Sequence, residues 1–133
     1  MNFNDAIFHE NKYRIKKFSS SDGCAILAGR DGVSNDYLTF KIGQPNDLWF
    51  HVKGESGSHV ILKCTDVKKT LPLTSQREAA SVAAWYSKMR KGGKVPVSVC
   101  RVKDISKPKG AAPGLVKVRK VKTLMVTPEL PGD

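Results

Sequence analysis

DLWFHVKGESGSHVILKC, residues 47–64, decides the fold. LWFHVKG (48–54) is an apolar run closed by a glycine, and SHVILKC (58–64) is its partner after the tight turn GESG, so the two read as strands of one hairpin. Apolar residues stand at consecutive positions rather than at every second one. Both faces of the hairpin are therefore expected to be buried, with His51, Lys53, His59 and Lys63 as the polar exceptions.

The clearest helix lies just downstream. After Pro72, with Thr74 or Ser75 as the expected cap, QREAASVAAWYSKMRK (76–91) places Ala79, Val82, Ala83, Tyr86 and Met89 at i, i+3, i+4, i+7 and i+10. This spacing predicts the main helix over about residues 75–91. Its alanines allow close packing on a sheet, and Lys88, Arg90 and Lys91 fall in a last turn where cations suit the helix dipole. Gly92-Gly93 supplies the stop.

Upstream, KYRIKKF (12–18) and CAILAG (24–29) flank the turn formers SSSDG (19–23) and read as an opening hairpin. GRDGVSNDYLTFKIG (29–43) starts with glycines and then spaces Val33, Tyr37, Leu38 and Phe40 by nearer three and four than two, which predicts a short helix over about 34–41 ending at Gly43. After the main helix, VPVSVCRVK (95–103) reads as a strand and SKPKGAAPG (106–114) as a loop. LVKV (115–118) and TLMV (123–126) read as strands around a basic turn at 119–122, and TPELPGD as a frayed tail. The order predicts an α+β fold with a mostly antiparallel or mixed sheet, one main helix and one short helix. No repeat or long linker divides residues 1–133, so one domain with flexible ends is expected.

With 133 residues and 40% apolar content the chain is the size of one core. No stretch approaches the roughly 18 apolar residues needed to span a bilayer, and MNFNDAIFHENKYR at the start lacks the layout of a signal peptide. A cytoplasmic protein without membrane contact is expected. Cys24, Cys64 and Cys100 lie far apart without a CxxC pair, which argues for reduced, largely buried thiols rather than disulfides or a zinc knuckle.

Charge is more informative. There are 23 Lys and Arg against 12 Asp and Glu, a net +11. Residues 1–76 carry +2, residues 77–122 carry 13 basic and 2 acidic groups, and residues 123–133 carry −2. Excess charge gathered in one segment is the footprint of a polyanion partner, and RNA is the abundant cytosolic one. A solvated basic face that only confers solubility is the plainer alternative.

No catalytic constellation is evident. The histidines are His9, His51 and His59; the last two are eight residues apart on adjacent strands, where they either share a ligand or phosphate across the hairpin or each hydrogen-bond locally. A metal would need a third ligand such as Cys64 or Asp47, and neither has recognisable spacing. P-loop and dinucleotide fingerprints are absent, so no enzyme, metal or small-molecule cofactor is expected. Trp49, Phe50, Trp85 and Tyr86 are potential base-stacking groups, although core packing is the expected role of each.

Four ordered motifs, GRDGVSNDYLT, DLWFHVKGESGSHVIL, EAASVAAWYSK and VPVSVCRVKDISKPKGAAPGLVKVRKVKTLMVTP, together resemble the NFACT-R domain of ribosome-associated quality-control factors in bacteria and eukaryotes. The resemblance runs from about 12 to 128. Family members commonly carry a glutamine-asparagine pair in the first motif; here Ser34 precedes Asn35. The resemblance implies an RNA-binding module with tRNA, ribosomal RNA or the large ribosomal subunit as partner, here in a stand-alone bacterial form that would not tail nascent chains by itself. Carried across, Arg30, Asn35, Asp36, His51, Ser58 and His59 are the polar motif residues, and Lys107 and Lys109 mark the basic KPKG loop. Together with Lys53, the helix-end Lys88 and Arg90, and Arg119, Lys120 and Lys122, they form the expected RNA-binding set. Two other readings stand beside it: an RNA-modification enzyme or accessory subunit acting on tRNA with His51 and His59 as acid and base, and an adhesion-type protein-interaction module.

Overall fold

The computed structural model describes residues 12–63, 65 and 70–132. His9 and Cys64 lie outside the described residues, as does the end of the expected 58–64 strand. Eight strands are formed among the described residues, β1 (Ile15–Ser19), β2 (Ala25–Gly29), β3 (Leu48–Val52), β4 (Val60–Leu62), β5 (Val95–Arg101), β6 (Ile105–Ser106), β7 (Lys117–Val118) and β8 (Lys122–Val126). Six of them make an antiparallel sheet in the order β1-β2-β4-β3-β5-β8, and β6 pairs with β7 in a separate ribbon. Among the described residues two α-helices accompany them: α1 (Gly32–Tyr37), continued by a wider π turn (Leu38–Ile42), and α2 (Leu73–Trp85).

The β3–β4 hairpin sits in the middle of the sheet, and its two faces are covered differently because neighbouring residues on a strand point to opposite sides. Ile26, Phe50, Val52, Val60, Leu62, Val97 and Val126 face α2, whose Ala79, Ala80, Ala83 and Ala84 let the helix backbone come close. Leu27, Trp49, Ile61 and Cys100 face the opposite way, against Leu38, Ile42 and Ile105. The buried charges in this core are paired, while the Trp49 indole Nε1 is buried without a hydrogen-bond partner among the described residues. Lys63 donates to the Asp47 carboxylate at 2.6 Å and to the Ile42 carbonyl, and the Gln44 amide also bonds Asp47. The carboxylate weighed as a metal ligand is thus engaged in a buried ion pair. Cys100 is a buried free thiol, its pKa raised to about 11 by that burial, and Cys24 is half-buried and free.

Several expected boundaries move, each for a non-local reason. The main helix runs Leu73–Trp85 rather than to residue 91, because Ser87 makes a bridge with Gly57 of the hairpin turn and draws the chain out of the helix. Lys88, Arg90 and Lys91 therefore follow the helix and do not form its last turn. Pro72, not Thr74 or Ser75, precedes its first residue, since the Ser75 hydroxyl is engaged with Asp22 and Ser20. The short helix begins at Gly32, where the Asp31 carboxylate caps it by accepting from the Ser34 amide at 2.8 Å, and runs on to Ile42. LVKV and TLMV do not pair: Lys117–Val118 joins Ile105–Ser106, whereas Lys122–Val126 joins β5. The switch between sheets occurs at Lys120, in the left-handed region with φ 54°. The final stretch runs along α2, where the Glu129 amide donates to the Ser81 carbonyl and Leu130 packs on the core. No helix among the described residues is long and apolar enough to cross a membrane.

Candidate nucleic-acid interface

The ends of three elements and two turns meet at one end of the sheet and enclose a cleft of about 1100 Å³. Arg30 and Asp31 enter from the β2–α1 junction, Glu55 to Ser58 from the β3–β4 turn, Trp85 to Lys88 with Arg90 from the end of α2, and Ala112 to Leu115 from the long loop. Two arginines in it are supported by aromatic rings. The Arg30 guanidinium lies over Tyr86 at 4.2 Å and that of Arg90 over Trp85 at 4.4 Å. Trp85 is half-buried at the cleft, and Tyr86, also half-buried, packs on the α2-side core with its other surface, whereas Trp49 and Phe50 are core residues on opposite faces, as expected.

The walls are fixed by side chains that imitate backbone. Asn35 accepts from the His59 amide at 3.0 Å and donates to the Gly57 carbonyl at 3.3 Å, so one amide holds the turn edge that flanks β4. This clamp needs glycine at position 29, because a Cβ there would stand 2.2 Å from the Asn35 oxygen. His59 ties the same edge to the long loop. Its Nε2 bonds the Gly114 carbonyl at 3.0 Å and its Nδ1 meets the Thr39 hydroxyl at 2.9 Å. A carbonyl only accepts, so Nε2 carries the proton and Nδ1 accepts from Thr39. Asp36 completes the tie by accepting from the Gly114 amide and pairing with Lys107, which also donates to the Ala112 and Leu115 carbonyls. Gly32 allows this docking, since a Cβ would press against the Pro113 carbonyl at 2.8 Å.

The two histidines do face each other, with ring centroids 5.6 Å apart, and His51 also stacks on Trp49. Burial, with His51 nearby, lowers the His59 pKa to about 4, and burial lowers that of His51 as well. Both are neutral near pH 7 and bring no charge to a phosphate. Among the described residues no group of three potential ligands is placed to hold a metal ion.

Of the residues expected to bind RNA, Arg30, Asn35, His51, Ser58, Lys88 and Arg90 line the cleft. Asp36, His59 and Lys107 stand behind its loop wall and make the internal bonds just described. Lys53 and Lys109 are exposed outside the lining, and Arg119 pairs with Asp104 at 3.8 Å. Lys120 and Lys122 are exposed further along the sheet, Lys122 opposite Val99. Sequence reading missed the pairing of Trp85 and Tyr86 with arginines, and the cleft roles of Glu55 and the Pro113–Leu115 wall. The usable signal was an aromatic pair followed within five residues by Lys88 and Arg90, but its meaning depends on the helix ending at Trp85.

An antiparallel α+β domain with a cleft lined by cations and half-exposed aromatics belongs, as a class, with small modules that present a basic surface to a polyanion. Residues 13–120 match the family described as the NFACT protein RNA binding domain, and the chain belongs to that family. It is 33% identical over 115 residues to the protein named Rqc2 homolog RqcH of Bacillus subtilis strain 168, covering 86% of this chain and 20% of that protein. The protein of the same name from Streptococcus suis strain 05ZYH33 is 40% identical over 122 residues, covering 88% and 21%. Among solved structures, the C-terminal part of the fibronectin/fibrinogen-binding protein from Streptococcus suis superposes with a TM-score of 0.79 at 38% identity, covering 87% of this chain and 46% of that one. The chain thus spans about a fifth of the length of these curated relatives.

Proposed function

We propose that the protein is an RNA-binding module of the ribosome quality-control type that contacts tRNA or large-subunit ribosomal RNA through the cleft at the end of α2, in the cytoplasm, and that it works by binding rather than by turnover. The observation that carries this reading is the juxtaposition of Arg30, Arg90 and Lys88 with Trp85 and Tyr86 in one cleft of a chain whose family is described as RNA-binding. Cations supply affinity through counterion release, and aromatic and polar groups supply discrimination. The names of the curated relatives support a ribosome quality-control setting. Binding rather than turnover is supported by His59, whose two ring nitrogens are both engaged, leaving no free site for proton transfer.

The test is crosslinking and sequencing of RNA bound to the tagged protein in cells, with an Arg30→Glu, Arg90→Glu double variant as control. Enrichment of tRNA or large-subunit ribosomal RNA that disappears in the control is the expected result. No enrichment over background would sink the reading. The solved relative is named as a fibronectin/fibrinogen-binding protein, which favours a second reading, adhesion. Measurable capture of fibronectin by the same tagged protein would support that reading instead.

A further inference from the structure

We propose that the cleft is a site for unpaired nucleobases, taking single-stranded RNA at loops or ends rather than the backbone of a duplex; the proposal rests on the RNA-binding reading above. Three features of the cleft go together. First, two of its three cations, Lys88 being the third, are of the planar kind and are held in place: Arg30 over Tyr86 and Arg90 over Trp85, at 4.2 and 4.4 Å. A guanidinium already resting on a ring offers a flat surface on which a base can stack, extending the pile by one layer, and any base can use it because every base has a π face. Phosphate recognition alone requires no such support, and outside the cleft the ring contact of an exposed lysine, Lys12 over Tyr13, is longer, at 5.2 Å.

Second, the cleft contains a carboxylate that a phosphate groove would exclude. Glu55 lies at the exposed tip of the β3–β4 turn, lines the cleft and makes no ion pair with any described residue. Against a phosphate it repels; against a base edge it accepts from the amino and imino groups that guanine, adenine and cytosine present when unpaired. Third, the walls are rigid. Asn35, His59 and the Asp36–Lys107 pair hold the turn and the long loop at a fixed separation, so the cleft resists the reshaping that a wide duplex groove would demand. An A-form duplex also hides its major-groove base edges in a deep, narrow groove that side chains do not read.

The test uses the full chain and four probes: an unstructured oligoribonucleotide, a blunt duplex of the same length, the unstructured strand with its bases removed, and a polyglutamate peptide. Trp85 is half-buried in the cleft while Trp49 is 3% exposed in the core, so stacking is read directly as quenching of the exposed indole. The variants are Arg30→Lys and Arg90→Lys, which keep charge and remove the planar surface. The expected result is quenching by the unstructured strand only, and an affinity loss of about tenfold or more in each lysine variant with an unchanged salt slope. Equal binding of duplex and single strand, equal binding of the strand without bases or of polyglutamate, or full affinity in both lysine variants would overturn the base-stacking proposal while leaving RNA binding in place. Failure of every RNA probe would overturn the RNA-binding reading itself.

Discussion

The two faces of the central sheet are built on different principles. Towards α2 the packing is aliphatic and aromatic, Phe50 and the valines against a row of alanines, with polar contacts where Ser75 at the start of the helix meets Ser20 and Asp22. The other face starts in the same way with Leu27, Trp49 and Ile61, but towards the cleft it becomes polar, with Asn35, Thr39, Asp36 and His59 in an internal network. Apolar burial is non-directional and sets how stable the domain is. Hydrogen bonds are directional, and on this face they set where the cleft walls stand.

If that division holds, damage on the two faces should differ in size and reach. Phe50→Ala, on the α2 face, is expected to cost about 4 kcal/mol of global stability, read from the urea midpoint. A loss below about 1 kcal/mol would mean that the helix face collapses around the cavity. Acid should act through the other face. His59 titrates at about 4 in the folded protein and near 6.5 when unfolded, so the unfolded chain takes up the proton first as pH falls. Stability from this group is complete above pH 6.5 and is lost as pH drops towards 4, in total about 3 kcal/mol. Denaturation of wild type and His59→Gln at pH 7, 6, 5 and 4 isolates it: the gap between them should narrow with acid, and a constant gap contradicts the assignment. The smallest effect is the most local. Asp36→Asn removes the ion pair with Lys107, which is partly exposed, and should change global stability by no more than about 1 kcal/mol. Amide exchange at residues 110–115 should nevertheless rise, because the loop is moored there; unchanged exchange would place its anchorage in His59 and the glycine contacts.

The face towards α2 was the legible one. Consecutive apolar residues in 48–52 and the alanine spacing in 79–84 record a two-sided strand and a close helix, and those elements form where the pattern places them. The His51–His59 juxtaposition was readable too, because a hairpin register is local. What escaped reading depends on partners far along the chain. The end of α2 is set by Ser87 meeting Gly57, thirty positions earlier, and the capping serine is diverted by Asp22. Lys107 looks like one more free cation in a basic loop, yet its ammonium group is bound by Asp36 and two carbonyls. Likewise LVKV and TLMV read as a hairpin, and only the left-handed Lys120 with the Arg119–Asp104 contacts divides them between two sheets. Composition points to the segment that supplies two of the three cleft cations, Lys88 and Arg90, whereas Arg30 comes from the part of the chain that is nearly neutral.

The clamp between Gly29 and Asn35 bears on how this domain can change over generations. A larger residue at 29 collides with the asparagine oxygen, and a shorter residue at 35 releases the edge at Gly57 and His59. Each single step is unfavourable while the other stands, so the two positions are bound into one heritable unit, and a double-mutant cycle across them should show strong coupling. Lineages that reshape the cleft have freer routes elsewhere, at the exposed tip around Glu55 and at Leu115, where side chains can be exchanged without disturbing the frame.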